Sequence, residues 1–144
     1  MNTVRCVGDV EQNKLLLRHI FEAWARADIG PLIAAMSDEF CWVFPGEWSW
    51  SGTWAGKDRV VDGLLRGALG PQLDGPFENH ADLILADEDR VVVQTRGRGR
   101  TKRGESYNNT YCMIFRVRDG QLTEVVEHCD TALVERVLDP PTNH

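Results

Sequence analysis

Four polar side chains in the last third of the chain are the best candidates for chemistry. His128 and Asp130 are two residues apart at the end of a predicted strand, and Asn109 and Tyr111 lie on the strand before it. Alternate residues of a strand point to one face, so the carboxylate can orient the imidazole or share a ligand with it. Amide and phenol donors nearby could stabilise an enolate oxygen. We therefore predict general acid–base catalysis, with Asp130 and His128 as the catalytic residues.

Each of these residues also has a structural alternative. Asp130 directly precedes Thr131 and an apolar segment, which is a common position for a helix N-cap. His128 could be a polar residue on the outer face of the sheet. Asn109 and Tyr111 could line a pocket or contact a second copy of the chain.

The residue spacing does not favour other kinds of chemistry. Four cysteines are scattered without a Cys-x-x-Cys pair, at positions 6, 41, 112 and 129. There is no His-Glu-x-x-His motif, nucleophile elbow or phosphate loop. We expect no metal and no cofactor, and we expect reduced thiols in a cytoplasmic protein. Without a charged-then-apolar N-terminal segment or an apolar run of about 18 residues, the sequence predicts neither secretion nor a membrane span.

Length and charge limit the class of protein. The 144 residues fit one domain, residues 1–144, with a core large enough to enclose a cavity. A formal net charge of −6 argues against affinity for nucleic acid or anionic membranes. Arg96, Arg98 and Arg100 alternate with glycine, so we interpret them as one solvated strand face and not as a nucleic-acid contact.

Hydrophobic periodicity predicts the elements that position the polar residues. Helical spacing predicts helices at residues 10–27, 31–36 and 60–68. Alternation predicts strands at residues 40–44, 77–86 and 90–99, and a hairpin whose turn is Asp119-Gly120. The order indicates an α+β fold, a cone-shaped, curved, mostly antiparallel sheet wrapped around N-terminal helices. An open cone of this kind leaves a pocket.

The outer face of the predicted sheet is apolar. Val92, Cys112 and Ile114 are too apolar to face water in a row, so we predict a homodimer.

Residues 47–57 carry three tryptophans among Ser, Thr and Gly, and such rings are costly to leave in water. The segment either plugs the core or forms the aromatic rim of a cavity. In the second case we predict an apolar cavity for a small hydrophobic molecule that bears one or two oxygens. Its expected ligand-binding residues are Trp24, Trp42, Trp50, Trp54, Asn109, Tyr111 and Met113.

Four segments carry a family resemblance. They are the Phe40-Trp42-Phe44 strand, the turn from Gly52 to Gly56, the Gly104-x-x-Tyr107-x-Asn109-x-Tyr111 strand, and Asp119-Gly120-x-Leu122 running into Glu127-His128-Cys129-Asp130-Thr131. With these segments the chain resembles the nuclear transport factor 2-like superfamily, in its SnoaL-like and ketosteroid isomerase-like branch. The resemblance covers nearly the whole chain.

The superfamily includes isomerases, epoxide hydrolases, polyketide cyclases, dehydratases and members without assigned chemistry. In steroid-isomerase relatives an acid on the penultimate strand binds the oxyanion, and Met113 occupies that position here. Limonene epoxide hydrolase relatives use a last-strand Asp, which matches Asp130, with an earlier Arg–Asp pair whose acid is absent near Arg96. Cyclase-like relatives use an Asp, sometimes with a His, which matches Asp130 and His128. The resemblance implies an acid–base enzyme without metal, or a non-catalytic binding module of the same fold.

Overall fold

The computed structural model describes residues 7–142, with side chains from residue 9, so Cys6 lies outside the described residues. The helices of the described residues are α1 (Val7–Trp24), α2 (Gly30–Ala35), a π-helix (Arg59–Leu69) with a short 3₁₀ helix after it (Gly70–Gln72), and α3 (Thr131–Val137). The strands are β1 (Met36–Phe44), β2 (Gly52–Ala55), β3 (Glu78–Asp87), β4 (Arg90–Arg98), β5 (Thr110–Arg118) and β6 (Gln121–Cys129). None of the helices described is long and apolar enough to cross a membrane.

All six strands form one curved, unclosed sheet in the order β2-β1-β6-β5-β4-β3. Neighbouring strands are antiparallel except β1 and β6, which run parallel. The predicted α+β cone is confirmed. The parallel pair brings the first long strand beside the last one, so side chains more than 80 residues apart share one face of the sheet.

Helix α1 packs on the sheet through the apolar positions that predicted it. Leu17, Ile20, Phe21 and Trp24 are all buried in the core. The helix spans Val7–Trp24 and therefore begins and ends three residues before the prediction. It ends early because Ala27 adopts a left-handed conformation with φ of 63°, which closes the last turn.

The tryptophan-rich segment contains a strand, β2, that the sequence pattern did not predict. Strand β2 pairs antiparallel with β1, and Trp54 lies opposite Trp42. The strand has only four residues and is flanked by Ser and Gly, so no alternating pattern marks it in the sequence. Its strand conformation depends on the pairing with β1. On its other side the π-helix approaches closely, since a Cβ at Gly63 would lie 3.0 Å from the Trp54 ring.

The hairpin of β5 and β6 has the predicted turn, and both Asp119 and Gly120 have positive φ, as a type I′ turn requires. Val117 pairs with Leu122 beside the turn. One residue further from the turn, however, Arg116 pairs with Glu124 instead of Thr123. Thr123 is therefore an extra residue on β6, a β-bulge. Because side chains alternate along a strand, one extra residue exchanges the two faces for the rest of β6.

Candidate functional site

A cavity of about 50 Å³ lies between the buried face of the sheet, the π-helix and α3. Its walls are mostly aromatic and aliphatic. The lining residues are Trp24, Trp42, Phe44, Trp48, Trp50, Leu64, Leu65, Leu69, Phe77, Asn79, Tyr107, Tyr111, Glu127, Val134 and Leu138. They come from α1, β1, β3, β5, β6, the π-helix, α3 and the connecting loops, so the cavity forms only when the helices pack on the sheet.

Glu127 is the one carboxyl-bearing residue among the described residues that line the cavity. Its side chain is buried, and burial raises its pKa from 4.5 to about 8. The indole N–H of Trp42 approaches the carboxyl without reaching hydrogen-bond geometry, and it acts in the opposite direction by lowering this pKa. At neutral pH the carboxyl is therefore largely protonated and can exchange a proton without a large change in pH.

Two buried phenols lie close to this carboxyl. The Tyr111 hydroxyl donates to the Tyr107 hydroxyl at 3.4 Å, and the Asn109 amide donates to the same oxygen at 3.5 Å. Because the Tyr107 oxygen accepts twice, its own proton is left to donate. Burial raises the pKa of both phenols, and the nearby Glu127 carboxyl raises it further, so both remain protonated.

Four further polar atoms in the cavity walls have no protein partner. They are the indole nitrogens of Trp24, Trp42 and Trp50, and Oδ1 of Asn79. Buried polar atoms without partners are uncommon in proteins, and each requires an explanation such as a ligand or a water. The arrangement as a whole offers one acid–base group, several donors and one free acceptor in an apolar enclosure.

Six of the seven predicted ligand-binding residues fall into two groups. Trp24, Trp42, Trp50 and Tyr111 line the cavity. Trp54 and Met113 are buried in the core without bordering the cavity. The Trp54 side chain extends from β2 against the π-helix, with the Arg59 guanidinium 5.7 Å from the centre of its ring.

Asn109 is buried beside the cavity, and its amide is occupied by backbone contacts. Its Oδ1 accepts from the backbone N–H groups of Asp130 at 3.0 Å and Thr110 at 2.8 Å. Its Nδ2 donates to the Asp130 carbonyl at 3.3 Å. Asn109 thus joins the start of β5 to the end of β6 and places Tyr107 through their shared hydrogen bond.

The structure places neither predicted catalytic residue in the cavity. The Asp130 carboxylate accepts from the backbone N–H of Leu133 at 3.2 Å and caps helix α3, which is the structural alternative. His128 is exposed and lies opposite Cys112 on the outer face of the sheet. A catalytic role for either residue stays a prediction, and the geometry of the cavity does not support it.

The bulge at Thr123 explains why sequence reasoning chose the wrong face of β6. In a regular two-residue hairpin His128 would lie opposite Tyr111, whereas Cys129 occupies that position. Glu127 then lies opposite Met113 on the buried face. The available signal was a glutamate two residues after Val125, at strand spacing from an apolar position.

Within the described residues, no three His, Cys, Asp or Glu side chains are grouped as metal ligands would be. The site is therefore built from a carboxyl, phenols, indoles and an amide.

Comparison with known proteins gives the family of this chain. The family model of the SnoaL-like domain matches residues 17–125. The match covers most of the chain and ends before Glu127. No curated protein matches the sequence.

Solved structures share the fold at low sequence identity. An NTF2-like protein of unknown function from Burkholderia pseudomallei K96243 is 24% identical, with a TM-score of 0.73 over 88% of this chain and 97% of that one. A protein from Jannaschia sp. CCS1, provisionally named a SnoaL-like polyketide cyclase, is 18% identical, with a TM-score of 0.74 over 95% and 97%. TerC, crystallised with polyporic acid, is 22% identical, with a TM-score of 0.71 over 88% and 97%. The chain therefore belongs to the SnoaL-like domain family, and it shares the fold of NTF2-like proteins.

Proposed function

We propose that this protein is an acid–base enzyme in which Glu127 takes a proton from a carbon next to the carbonyl group of a small molecule. The observation that carries the proposal is a buried carboxyl with a pKa of about 8 in an aromatic cavity. A carboxylate with a raised pKa is a stronger base than an ordinary one and still ionises near neutral pH. The Glu127 carboxyl is therefore well suited to reversible proton transfer.

Tyr107 supplies the second part of the mechanism. Removing a proton next to a carbonyl places negative charge on the carbonyl oxygen, which needs a hydrogen-bond donor. Tyr107 borders the cavity, and its hydroxyl accepts from Tyr111 and Asn109, so the hydroxyl proton is left to donate to that oxygen. The proton on Glu127 can afterwards return to a different carbon, to the oxygen, or to water.

The names of two structural neighbours are consistent with small-molecule chemistry in this fold, one as a provisional polyketide cyclase and one crystallised with polyporic acid. The volume of about 50 Å³ restricts the ligand to a few heavy atoms unless the walls move. Trp48 and Phe77 are only half-buried, so an outward movement of these rings would admit a larger molecule.

Exchange of carbon-bound hydrogen tests the proposal without knowledge of the natural substrate. Butanone is incubated with the protein in D₂O, and loss of the proton signal next to the carbonyl is followed by NMR. We expect exchange above the buffer rate, rising with pH through about 8 as Glu127 ionises. Glu127→Gln should slow the catalysed exchange on the order of 100-fold or more.

Asp130→Asn and His128→Gln are the matched controls. Asn caps a helix about as well as Asp, so the first variant keeps the fold and removes the carboxylate. Neither variant should change the exchange rate if Glu127 is the base. Loss of exchange in Asp130→Asn, with full activity in Glu127→Gln, would overturn the proposal and restore the catalytic assignment made from the sequence.

A non-catalytic binding module is the second candidate. The mainly aromatic lining favours it, because apolar walls alone are sufficient to hold a small hydrophobic molecule. Binding of butanone without any exchange, in the wild type and at every pH, would select this alternative.

The proposal includes a homodimer in the cytoplasm. Three cysteines, Cys41, Cys112 and Cys129, are free thiols, as a reducing compartment maintains them. Burial raises the pKa of Cys129 to about 12, so this thiol is unreactive at neutral pH.

A further inference from the structure

Asn79 is a buried amide that the proposed proton transfer does not use. It lies on β3, is 1% exposed, and borders the cavity. Its Oδ1 accepts no hydrogen bond from the protein. Asn109 offers a direct comparison, because both ends of its equally buried amide are bonded. An unsatisfied buried acceptor costs stability, so its presence in the wall of a cavity points to a ligand donor.

The position of Asn79 separates it from the acid–base group. Strand β3 is at one edge of the sheet, and two strands, β4 and β5, lie between it and β6. Asn79 and Glu127 therefore stand on different walls of the cavity. A ligand that meets both must carry polar groups at two places, a carbonyl beside Glu127 and Tyr107 and a hydrogen-bond donor beside Asn79.

The charge of the cavity selects against ions. No Lys, Arg or His is among the described residues that line it. A ligand carboxylate would lose its hydration and gain no cation in return, which is costly in an apolar enclosure. A ligand ammonium would meet Glu127 as a mostly protonated carboxyl at neutral pH.

We infer that the cavity binds an uncharged hydroxy ketone, whose hydroxyl donates to Asn79 and whose carbonyl faces Glu127 and Tyr107. The inference rests on the proposed function for the carbonyl end. Asn79 is then a specificity-determining residue, since it distinguishes a hydroxylated ketone from the plain ketone and takes no part in proton transfer.

A matched set of small probes tests the inference by equilibrium binding. The probes are butanone, 4-hydroxybutan-2-one and butyrate, titrated against the indole N–H signals of the tryptophans in NMR spectra at pH 7. We expect the hydroxy ketone to bind roughly 5- to 10-fold more tightly than butanone, the usual effect of one added hydrogen bond to an otherwise unpaired group. Butyrate should bind more weakly than either ketone.

Asn79→Leu assigns the preference to a residue. It has a similar size and removes the acceptor, so butanone and the hydroxy ketone should bind equally. Thr95→Val is the control, because the Thr95 hydroxyl is also buried without a partner but does not border the cavity. It should keep the wild-type preference.

The outcomes separate the inference from the proposed function. Equal binding of the two ketones to the wild type, or a preference that survives Asn79→Leu, would overturn the inference even if butanone still exchanges its protons. Selective binding of the hydroxy ketone with no exchange would retain the inference and remove the enzyme. The wild-type comparison needs no variant, so a misfolded Asn79→Leu does not prevent the test.

Discussion

Glu127 is the residue whose ionisation links stability to pH. In the unfolded chain the Glu127 carboxyl loses its proton near pH 4.5, whereas in the folded protein it keeps the proton up to about pH 8. Between these values the unfolded state binds fewer protons, so stability falls as pH rises. The shift corresponds to a loss on the order of 5 kcal/mol across the window. We predict that Glu127→Gln removes this loss, and urea unfolding at pH 4.5 and 8.5 measures it.

The difference between wild type and variant isolates Glu127 from other titrating groups. Near pH 4.5 the two proteins should have similar free energies of unfolding, and at pH 8.5 the variant should be the more stable by several kcal/mol. Parallel pH profiles for the two proteins would show that the Glu127 carboxyl ionises normally, and the proposed base would lose its support.

At the scale of elements, the cavity is enclosed by the segment of residues 45–51 and by helix α3. The backbone N–H of Ser49 donates to the Glu135 carboxylate at 3.0 Å, and the Ser49 hydroxyl donates to the same oxygen. These hydrogen bonds lower the pKa of Glu135 and keep it ionised. They tie the segment that carries Trp48 and Trp50 to α3.

Side-chain amides hold both ends of α3. Asn109 bonds the backbone N–H and carbonyl of Asp130, and Gln72 bonds those of Asp139 at 2.7 and 3.0 Å. Because α3 is attached at both ends, we expect any opening of the enclosure to involve the segment carrying Trp48 and Trp50. The Ser49–Glu135 contact is the link that such an opening would have to break.

We predict that Glu135→Ala releases this segment. Acrylamide should then quench the tryptophan fluorescence more strongly than in the wild type. The thermal midpoint should fall by only a few degrees, because the contact is exposed to solvent and screened by it. Glu135→Gln keeps an acceptor oxygen and should behave more like the wild type. If quenching of Glu135→Ala and wild type is identical, the contact does not hold the segment.

The whole molecule presents an apolar row across the outer face of its sheet. Val43 lies opposite Val126, Val126 opposite Ile114, Ile114 opposite Val92, and Val92 opposite Leu85. Leu85 is 55% exposed, and the other four are half-buried. The next row carries Glu124 opposite Arg116, so a copy related by a two-fold axis can bury the apolar row and pair the charges.

We propose that the protein is a homodimer through this row. Light scattering at micromolar concentration should give about twice the 16.3 kDa chain mass. Ile114→Glu should produce a monomer, because it places an unpaired charge at the centre of the interface. Leu15→Glu is the control, since Leu15 is as exposed as Leu85 but lies on α1. A monomeric wild type, or a dimer unaffected by Ile114→Glu, would contradict the proposal.

The sequence by itself determined the features that depend on neighbouring residues. Helical spacing from Leu17 to Trp24 identified α1, and Asp119-Gly120 identified the hairpin, because few residues other than Asn, Asp and Gly favour two successive positive φ angles. Asp130 before Thr131 is typical of a helix N-cap, although a catalytic aspartate at the same position would look identical in the sequence. Four of the seven predicted ligand-binding residues line the cavity, since large aromatic residues are buried wherever the chain places them.

Only the tertiary structure decided which polar side chains face inward. The extra residue at Thr123 exchanges the faces of β6, so Glu127 enters the cavity and His128 faces outward. That bulge has no clear local signature, because β6 must pair with β5 on one side and with β1, some 80 residues earlier, on the other. The register that satisfies both pairings is a property of the assembled sheet. A shift of one residue is invisible in a strand's composition, yet it reverses the direction of every side chain that follows.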